Sequence, residues 1–506
     1  MADVDAAWVD FRGCGRSGPM TWGQRKIRAE LLAHPGDRRL PFVATSFPVP
    51  DGAGLDVIQR ALTALLEAHE SLRTTYPDMS TQRVAGRGRL RVGLVESDDT
   101  AAALDRMCRE PFDVERELPV RAELLLDHSR PRTLVCVFSH MALDRLGAHV
   151  VEEQLRALLA SPVPTETLRT SLQPLELAVQ QQADGQRAAR TLDYWASAYA
   201  AAPQETLAVP VRPGEGTRFC DARMVSSAIA DALTKITCRT KASASAVLLA
   251  ATAAVLGAYV GLDRCAITSI FGNRASEKLV EYVGTISQDA LVVVDLGGPT
   301  FDGLVRNTWL RSLTAYEHSM VDSLAQRATR EAIAARTGLL FRRDFVYNDL
   351  AGEPRRPVDA TTIDIRDAGF VWVRGFLTAH RLQGAAELSF WVDTYYVPRA
   401  DVRMLLESLE RLLVSAAERD VPLPKDVPSV DRGPEWVRIG ASWIDLRSCQ
   451  ALVDDVLGTG VAEVRLEGGD VIARVPEPVD EVHAACTAAL PRFDAAMVPT
   501  LLAVSS

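Results

Sequence analysis

Apolar residues fall in two rhythms along this 506-residue chain. The sharpest signal is Leu134-Val135-Cys136-Val137-Phe138, an unbroken apolar run that stops at Ser139. A short run rich in Val and Phe predicts a buried strand. Just beyond it the rhythm changes. Leu146, Val150, Val151, Leu155, Leu158 and Leu159 recur at helical spacing, with Glu152, Glu153 and Arg156 between them. A strand, a tight turn and an amphipathic helix are therefore predicted in succession. The same spacing of Leu55, Ile58, Leu62, Leu65 and Leu66 predicts a helix over 54–73. Thr21 with Gln24 three residues later predicts a capped helix start. Alternation over 120–125 predicts a strand that pairs with 134–138.

Farther along, the pattern predicts a helix at 243–260, strands at 266–271, 345–348 and 388–393, and a helix at 402–417. Residues 161–185, rich in Pro, Thr and Gln, predict a boundary. Pro422, Pro424, Pro428 and Pro434 predict a second one. After it come a strand at 435–446, a helix at 447–457, a hairpin at 461–475 turned at Gly468-Gly469, and a last helix at 479–490.

Composition narrows the class. Hydrophobic residues make up 47% and charged ones 24%, the profile of an ordinary globular protein. A net charge of −10 argues against a nucleic-acid partner. The window 242–261 is uncharged and long enough to span a bilayer, but it is mostly Ala, Ser, Thr and Gly, so a closely packed core helix is predicted and no membrane partner. The cysteines are scattered with no C-x-x-C pair, which signals neither zinc nor redox chemistry. The acidic N-terminus, Met1-Ala2-Asp3-Val4-Asp5, has no signal-peptide pattern. A cytoplasmic location is expected.

Chemistry concentrates where the first strand ends. His140 follows it directly, a rigid place for a proton-transfer group or for a core histidine whose nitrogens the backbone satisfies. The stretch Ser139-His140-Met141-Ala142-Leu143-Asp144-Arg145 resembles the HHxxxDG motif of the condensation-domain superfamily of nonribosomal peptide synthetases. Two positions depart from it: Ser139 stands for the first His and Arg145 for the Gly. His69-Glu70-Ser71-Leu72-Arg73-Thr74-Thr75-Tyr76 resembles the family's HExLRTxF. Pro111-Phe112-Asp113-Val114 resembles its PFDL, Gly272-Asn273-Arg274 its G-x-R turn, and Tyr282-Val283-Gly284-Thr285-Ile286-Ser287 its GxFVNT.

The resemblance covers roughly residues 19–417 and implies an α/β (α+β) fold. Two chloramphenicol-acetyltransferase-like lobes would form a V with a central tunnel, with domain limits at 1–175, 176–428 and 429–506. The last segment resembles the small C-terminal subdomain of adenylating enzymes but lacks a lysine. The resemblance implies that His140 is the catalytic base or positioning group and that a buried Arg73–Asp144 pair structures the loop. Ser139, Arg145, Ser287, Gln288 and Asp289 become substrate-tunnel candidates. Ser287, Gln288 and Asp289 could instead simply end a strand, and Arg145 could close a donor channel or bind an anionic substrate. His318 reads as an ordinary helix-surface or packing residue rather than a second base.

The implied activity is that of a free-standing acyltransferase of natural-product (antibiotic) biosynthesis. It would join an acyl or aminoacyl thioester, carried on the phosphopantetheine arm of an acyl or peptidyl carrier protein, to a small-molecule amine or hydroxyl acceptor. No metal or bound cofactor is implied. The alternative is a catalytically inactive member that recruits carrier proteins or tailoring enzymes, a reading to which Ser139 and Arg145 point.

Overall fold

The computed structural model describes residues 6–35, 42–160, 168, 172–211, 216–350, 352–476 and 478–503. They form a mixed α/β structure that divides into two compact units. The first takes in residues 1–188, 272–288 and 320–323, the second 189–271, 289–319 and 324–506. The N-terminal five residues and part of the expected boundary, 161–167 and 169–171, lie outside the described residues.

The first unit is built on a five-stranded sheet in the order Ala6–Arg12, Arg87–Glu96, Val120–Asp127, Arg130–Ser139, Phe42–Pro48. All neighbours are antiparallel except the second and third, which are parallel. Leu134, Cys136 and Phe138 point into a core shared with the helices Leu55–Ala68 and Arg145–Ala160. Val135 and Val137 pack on the other face with Ala103 and Met107 of the helix Thr100–Met107. A strand covered on both faces has no polar side to show, which is why its apolar run is continuous rather than alternating.

The edge strand Ala6–Arg12 would leave backbone groups unpaired. The helix Leu55–Ala68 covers them with side chains one turn apart. Gln59 Nε2 donates to the Trp8 carbonyl, Thr63 Oγ1 donates to the Asp10 carbonyl, and Arg12 N–H donates to Glu67 Oε1, each at 2.9 Å.

The second unit carries a seven-stranded sheet in the order Gln288–Asp295, Arg264–Phe271, Phe345–Asp349, Gly375–Arg381, Ala386–Asp393, Phe219–Ser226, Thr362–Asp367. The helices Ser227–Thr240, Ala244–Val260, Phe301–Glu317 and Arg399–Glu418 contribute to one core with it. The uncharged window is the helix Ala244–Val260, buried almost all round. Its small side chains let neighbouring elements approach closely. Among the described residues no single helix is long and apolar enough to cross a membrane, and this helix meets Ser227–Thr240 at a 104° bend.

Two sequence expectations change here, and one strand is added. Residues 174–183 form a helix, opened by Pro174 behind a Gln173–Glu176 capping box, and stay in the first unit. Proline at the first helical position starts a helix rather than marking a linker. The expected strand 435–446 is a hairpin, Trp436–Ile439 with Ser442–Asp445, because Gly440 takes a left-handed φ of +57° and turns the chain. A strand absent from the sequence reading, Thr500–Ala503, pairs in parallel with Asp470–Val475.

The C-terminal stretch, expected as a separate domain from 429, lies within the second unit. Its core includes Ala334 and Leu340. Gln204 N–H donates to Ser442 Oγ (2.9 Å), and its side-chain amide donates to the Ala496 carbonyl (2.8 Å). The Arg342 guanidinium donates to the carbonyls of Leu490, Pro491 and Phe493 and pairs with buried Glu205 at 3.0 Å. The proline-rich connection is held too. Val430 N–H donates to the Tyr259 carbonyl (2.8 Å), and the Arg432 guanidinium lies 4.5 Å from the Trp443 ring and 5.6 Å from that of Trp436.

Candidate functional site

The strand Arg130–Ser139 ends in a tight turn, with Ala142 N–H donating to the Ser139 carbonyl at 2.9 Å. His140 sits in that turn, half-buried, with Nδ1 3.1 Å from the Leu143 carbonyl. A carbonyl oxygen can only accept, so in the neutral ring Nδ1 carries the proton and Nε2 keeps its lone pair. Nε2 has no hydrogen-bond partner among the described residues. A fixed tautomer with an open basic nitrogen is the arrangement a general base requires.

Asp144 closes the loop. It is buried, and its carboxylate accepts from Gly147 N–H (2.9 Å), both terminal nitrogens of Arg274 (2.7 and 3.0 Å), the N–H groups of Ile286 (3.0 Å) and Ser287 (2.9 Å), and Ser287 Oγ (2.8 Å). Burial pushes the carboxyl pKa up, but the charge and hydrogen bonds of Arg274 and the N–H groups of Gly147 and Ile286 outweigh it, leaving the value below the ordinary carboxylate range. The ionised Asp144 ties the loop to 272–288, a segment which returns to the first unit from far along the chain. Two glycines make room for that return. A Cβ on Gly23 would lie 2.2 Å from the Thr285 carbonyl oxygen, and one on Gly147 3.0 Å from that of Gly284.

Arg73 is not the partner of Asp144. Its guanidinium donates to the carbonyls of Leu66 (3.0 Å), Cys14 (3.1 Å) and Ala85 (2.6 Å) and lies 3.9 Å from Glu70. Leu66 is in the last turn of its helix, where carbonyls have no intrahelical partner, and Arg73 in the following 3₁₀ turn supplies a donor. It structures the 13–16 and 85 region rather than the histidine loop. The real partner, Arg274, belongs to the Gly272-Asn273-Arg274 turn. The motif was legible in the sequence, but nothing local linked it to Asp144.

The remaining predicted residues are each engaged by the protein. Ser139 is buried, and its Oγ accepts from Met141 N–H at 3.3 Å. Arg145 pairs with buried Glu152 at 3.1 Å, one helical stretch away. Ser287 holds Asp144. The Gln288 amide clasps the backbone of Val321, donating to its carbonyl (2.8 Å) and accepting from its N–H (3.1 Å). In the second unit Asp289 pairs with Arg343 at 2.6 Å. His318 ends the helix Phe301–Glu317 and stacks on Tyr194 at 4.8 Å, a packing role as expected.

A further residue adjoins the loop. Tyr76, fully buried, donates its hydroxyl to the Met141 carbonyl at 2.8 Å. The Tyr76 hydroxyl oxygen in turn accepts from Gln24 Nε2 at 3.3 Å, and Gln24 completes the capping box with Thr21. Elsewhere in the first unit, buried His69 donates Nε2–H to Gln154 Oε1 at 2.6 Å, and burial lowers its pKa to about 4.

A family model described as "Condensation domain" matches residues 42–365. Isonitrile lipopeptide synthase of Mycobacterium tuberculosis is 25% identical over 423 residues, 76% of this chain and 17% of that protein. Cyclosporin synthetase simA of Tolypocladium inflatum is 27% identical over 290 residues, 53% of this chain and 2% of that protein. The chain therefore spans less than a fifth of the length of either relative. Among solved structures, a condensation domain mediating chain release from the enacyloxin polyketide synthase superposes with a TM-score of 0.60 at 19% identity, covering 74% of this chain and 78% of that one. The X-domain in complex with OxyB from teicoplanin biosynthesis gives 0.61 at 20% identity, covering 79% and 93%. At these identities the likeness is one of fold.

Proposed function

Because the chain belongs to the condensation-domain family, whose members typically form amide or ester bonds, we propose that it transfers an acyl or aminoacyl group from a carrier-protein thioester to an amine or alcohol. The thioester sits on the carrier's phosphopantetheine arm. The acceptor nitrogen or oxygen attacks the thioester carbonyl while His140 Nε2 takes its proton. The tetrahedral oxyanion then collapses, the carbon–sulfur bond breaks, and the thiolate recovers the proton from the imidazolium. The Leu143 carbonyl steadies the Nδ1–H side of the ring throughout. Asp144 takes no proton in this scheme, because its pairing with Arg274 keeps it ionised at working pH.

One observation carries the reading: at the motif's second histidine, the ring is held through Nδ1 and leaves Nε2 open. Ser139 and Arg145, the two departures from the motif, are both engaged in local contacts and leave that arrangement intact.

The test uses carrier proteins loaded with a panel of acyl and aminoacyl groups, mixed with small amines and alcohols and followed by intact-protein mass spectrometry. His140→Ala should slow transfer by about 10²–10⁴-fold with an unchanged melting temperature. Wild-type transfer rates from His140→Ala would remove His140 from the mechanism, and no transfer by wild type across the panel would overturn the acyltransferase reading and favour a recruiter of carrier proteins or tailoring enzymes.

A further inference from the structure

The turn that carries His140 is braced on both polar groups of its neighbour. Met141 N–H donates to Ser139 Oγ at 3.3 Å, and the Met141 carbonyl accepts the Tyr76 hydroxyl at 2.8 Å. Neither group is used by the sheet or by the helix that follows, so the two side chains set the peptide planes on the C-terminal side of His140. Tyr76 is surrounded by Met20, Ile27 and Met141, an apolar cluster that a Phe would fill equally well. A buried hydroxyl needs partners, and here they are Met141 and Gln24. Burial also pushes the phenol pKa well up, so the hydroxyl remains a donor at any working pH.

We propose that Tyr76 is a positioning residue: through the Met141 carbonyl it holds the turn so that the His140 ring meets the Leu143 carbonyl with Nδ1 and offers Nε2 outward. The functional part of this rests on the acyl-transfer reading above; the structural part does not. Without the hydroxyl the Met141 peptide can rotate, the Nδ1 contact loosens, and the ring samples both tautomers. Ser139 acts on the same residue from the other side. The two motif positions, Tyr76 with its hydroxyl and Ser139 in place of a histidine, therefore work as one brace.

The experiment is ¹⁵N NMR of histidine-labelled full-length protein, with the His140 signals identified by their loss in His140→Ala. Wild type is expected to show a single neutral tautomer protonated at Nδ1. Tyr76→Phe should shift those signals toward a tautomer mixture and lower kcat by about ten- to a hundredfold with KM for the loaded carrier unchanged. Ser139→Ala, which removes the other brace, should move the same signals and keeps the test decisive if Tyr76→Phe folds poorly. His140 signals identical to wild type in both variants would overturn the proposal, even with transfer intact. Shifted His140 signals in a protein that transfers no acyl group would uphold the brace and sink the catalytic reading instead.

Discussion

At the scale of single residues, buried charge decides what surrounds the histidine. Asp144 and Arg274 are both nearly inaccessible, so each depends on the other and on the backbone donors and carbonyls around them. Arg274→Ala strands the carboxylate and should destabilise the protein by about 3–5 kcal/mol in urea unfolding, as should Asp144→Ala. If neither variant unfolds more readily than wild type, the assigned pairing is wrong. His69 supplies a pH dependence. Its pKa falls from 6.5 to about 4 because burial disfavours the charged ring. The unfolded chain takes up a proton below pH 6.5 that the folded chain refuses until about 4. Its contribution to stability is therefore complete above 6.5 and lost as pH falls through that window, about 3 kcal/mol in all. His69→Asn, compared with wild type near pH 7 and near pH 4, should lose correspondingly less stability on acidification; equal losses would remove His69 as the cause.

At the scale of elements, periodicity was a good guide where one face or both faces meet a core. The run at 134–138 lies in the C-terminal half of the strand Arg130–Ser139, and the helix expected from Leu146 onward is Arg145–Ala160. The capping box at Thr21 and Gln24 is formed as the two residues imply, with Thr21 Oγ1 accepting from Gln24 N–H at 3.2 Å and Gln24 Oε1 accepting from Thr21 N–H at 2.8 Å. The reading failed where a single backbone torsion or a partner strand decides the outcome. Gly440 splits an expected strand into a hairpin, and Thr500–Ala503 becomes a strand only because Asp470–Val475 offers it an edge. Edge protection was equally invisible. Gln59, Thr63 and Glu67 look like an ordinary polar helix face until the free edge of Ala6–Arg12 lies beside them.

At the scale of the whole molecule, the C-terminal stretch changes meaning. A proline-rich connection suggested an independent appendage, yet Gln204, Glu205 and Arg342 all bind its backbone or side chains from within the second unit. Ala334 and Leu340 pack into the same apolar cluster as Leu452, Val471 and Val498. A chain truncated after residue 434 should uncover that cluster and leave buried Glu205 without the Ala495 N–H, giving insoluble protein or a melting temperature lowered by many degrees. Limited proteolysis should correspondingly leave 422–434 intact in the native protein. Ready cleavage there, with a soluble and stably folded 1–434 product, would restore the appendage reading.

The sequence by itself determined which family this chain belongs to, where its main strands and helices run, and that His140 and Asp144 flank one short turn. Those features rest on local periodicity and on residues a few positions apart, where spacing alone carries the physics. The tertiary structure decided which charges meet. Asp144 and Arg274 are separated by 130 positions, and Tyr76 and Met141 by 65. Arg73 lies nearer to Asp144 along the chain, but three backbone carbonyls claim it. A buried ion finds its partner by geometry in three dimensions, once Gly23 and Gly147 have let the returning segment in close, and no pattern along the chain records that distance.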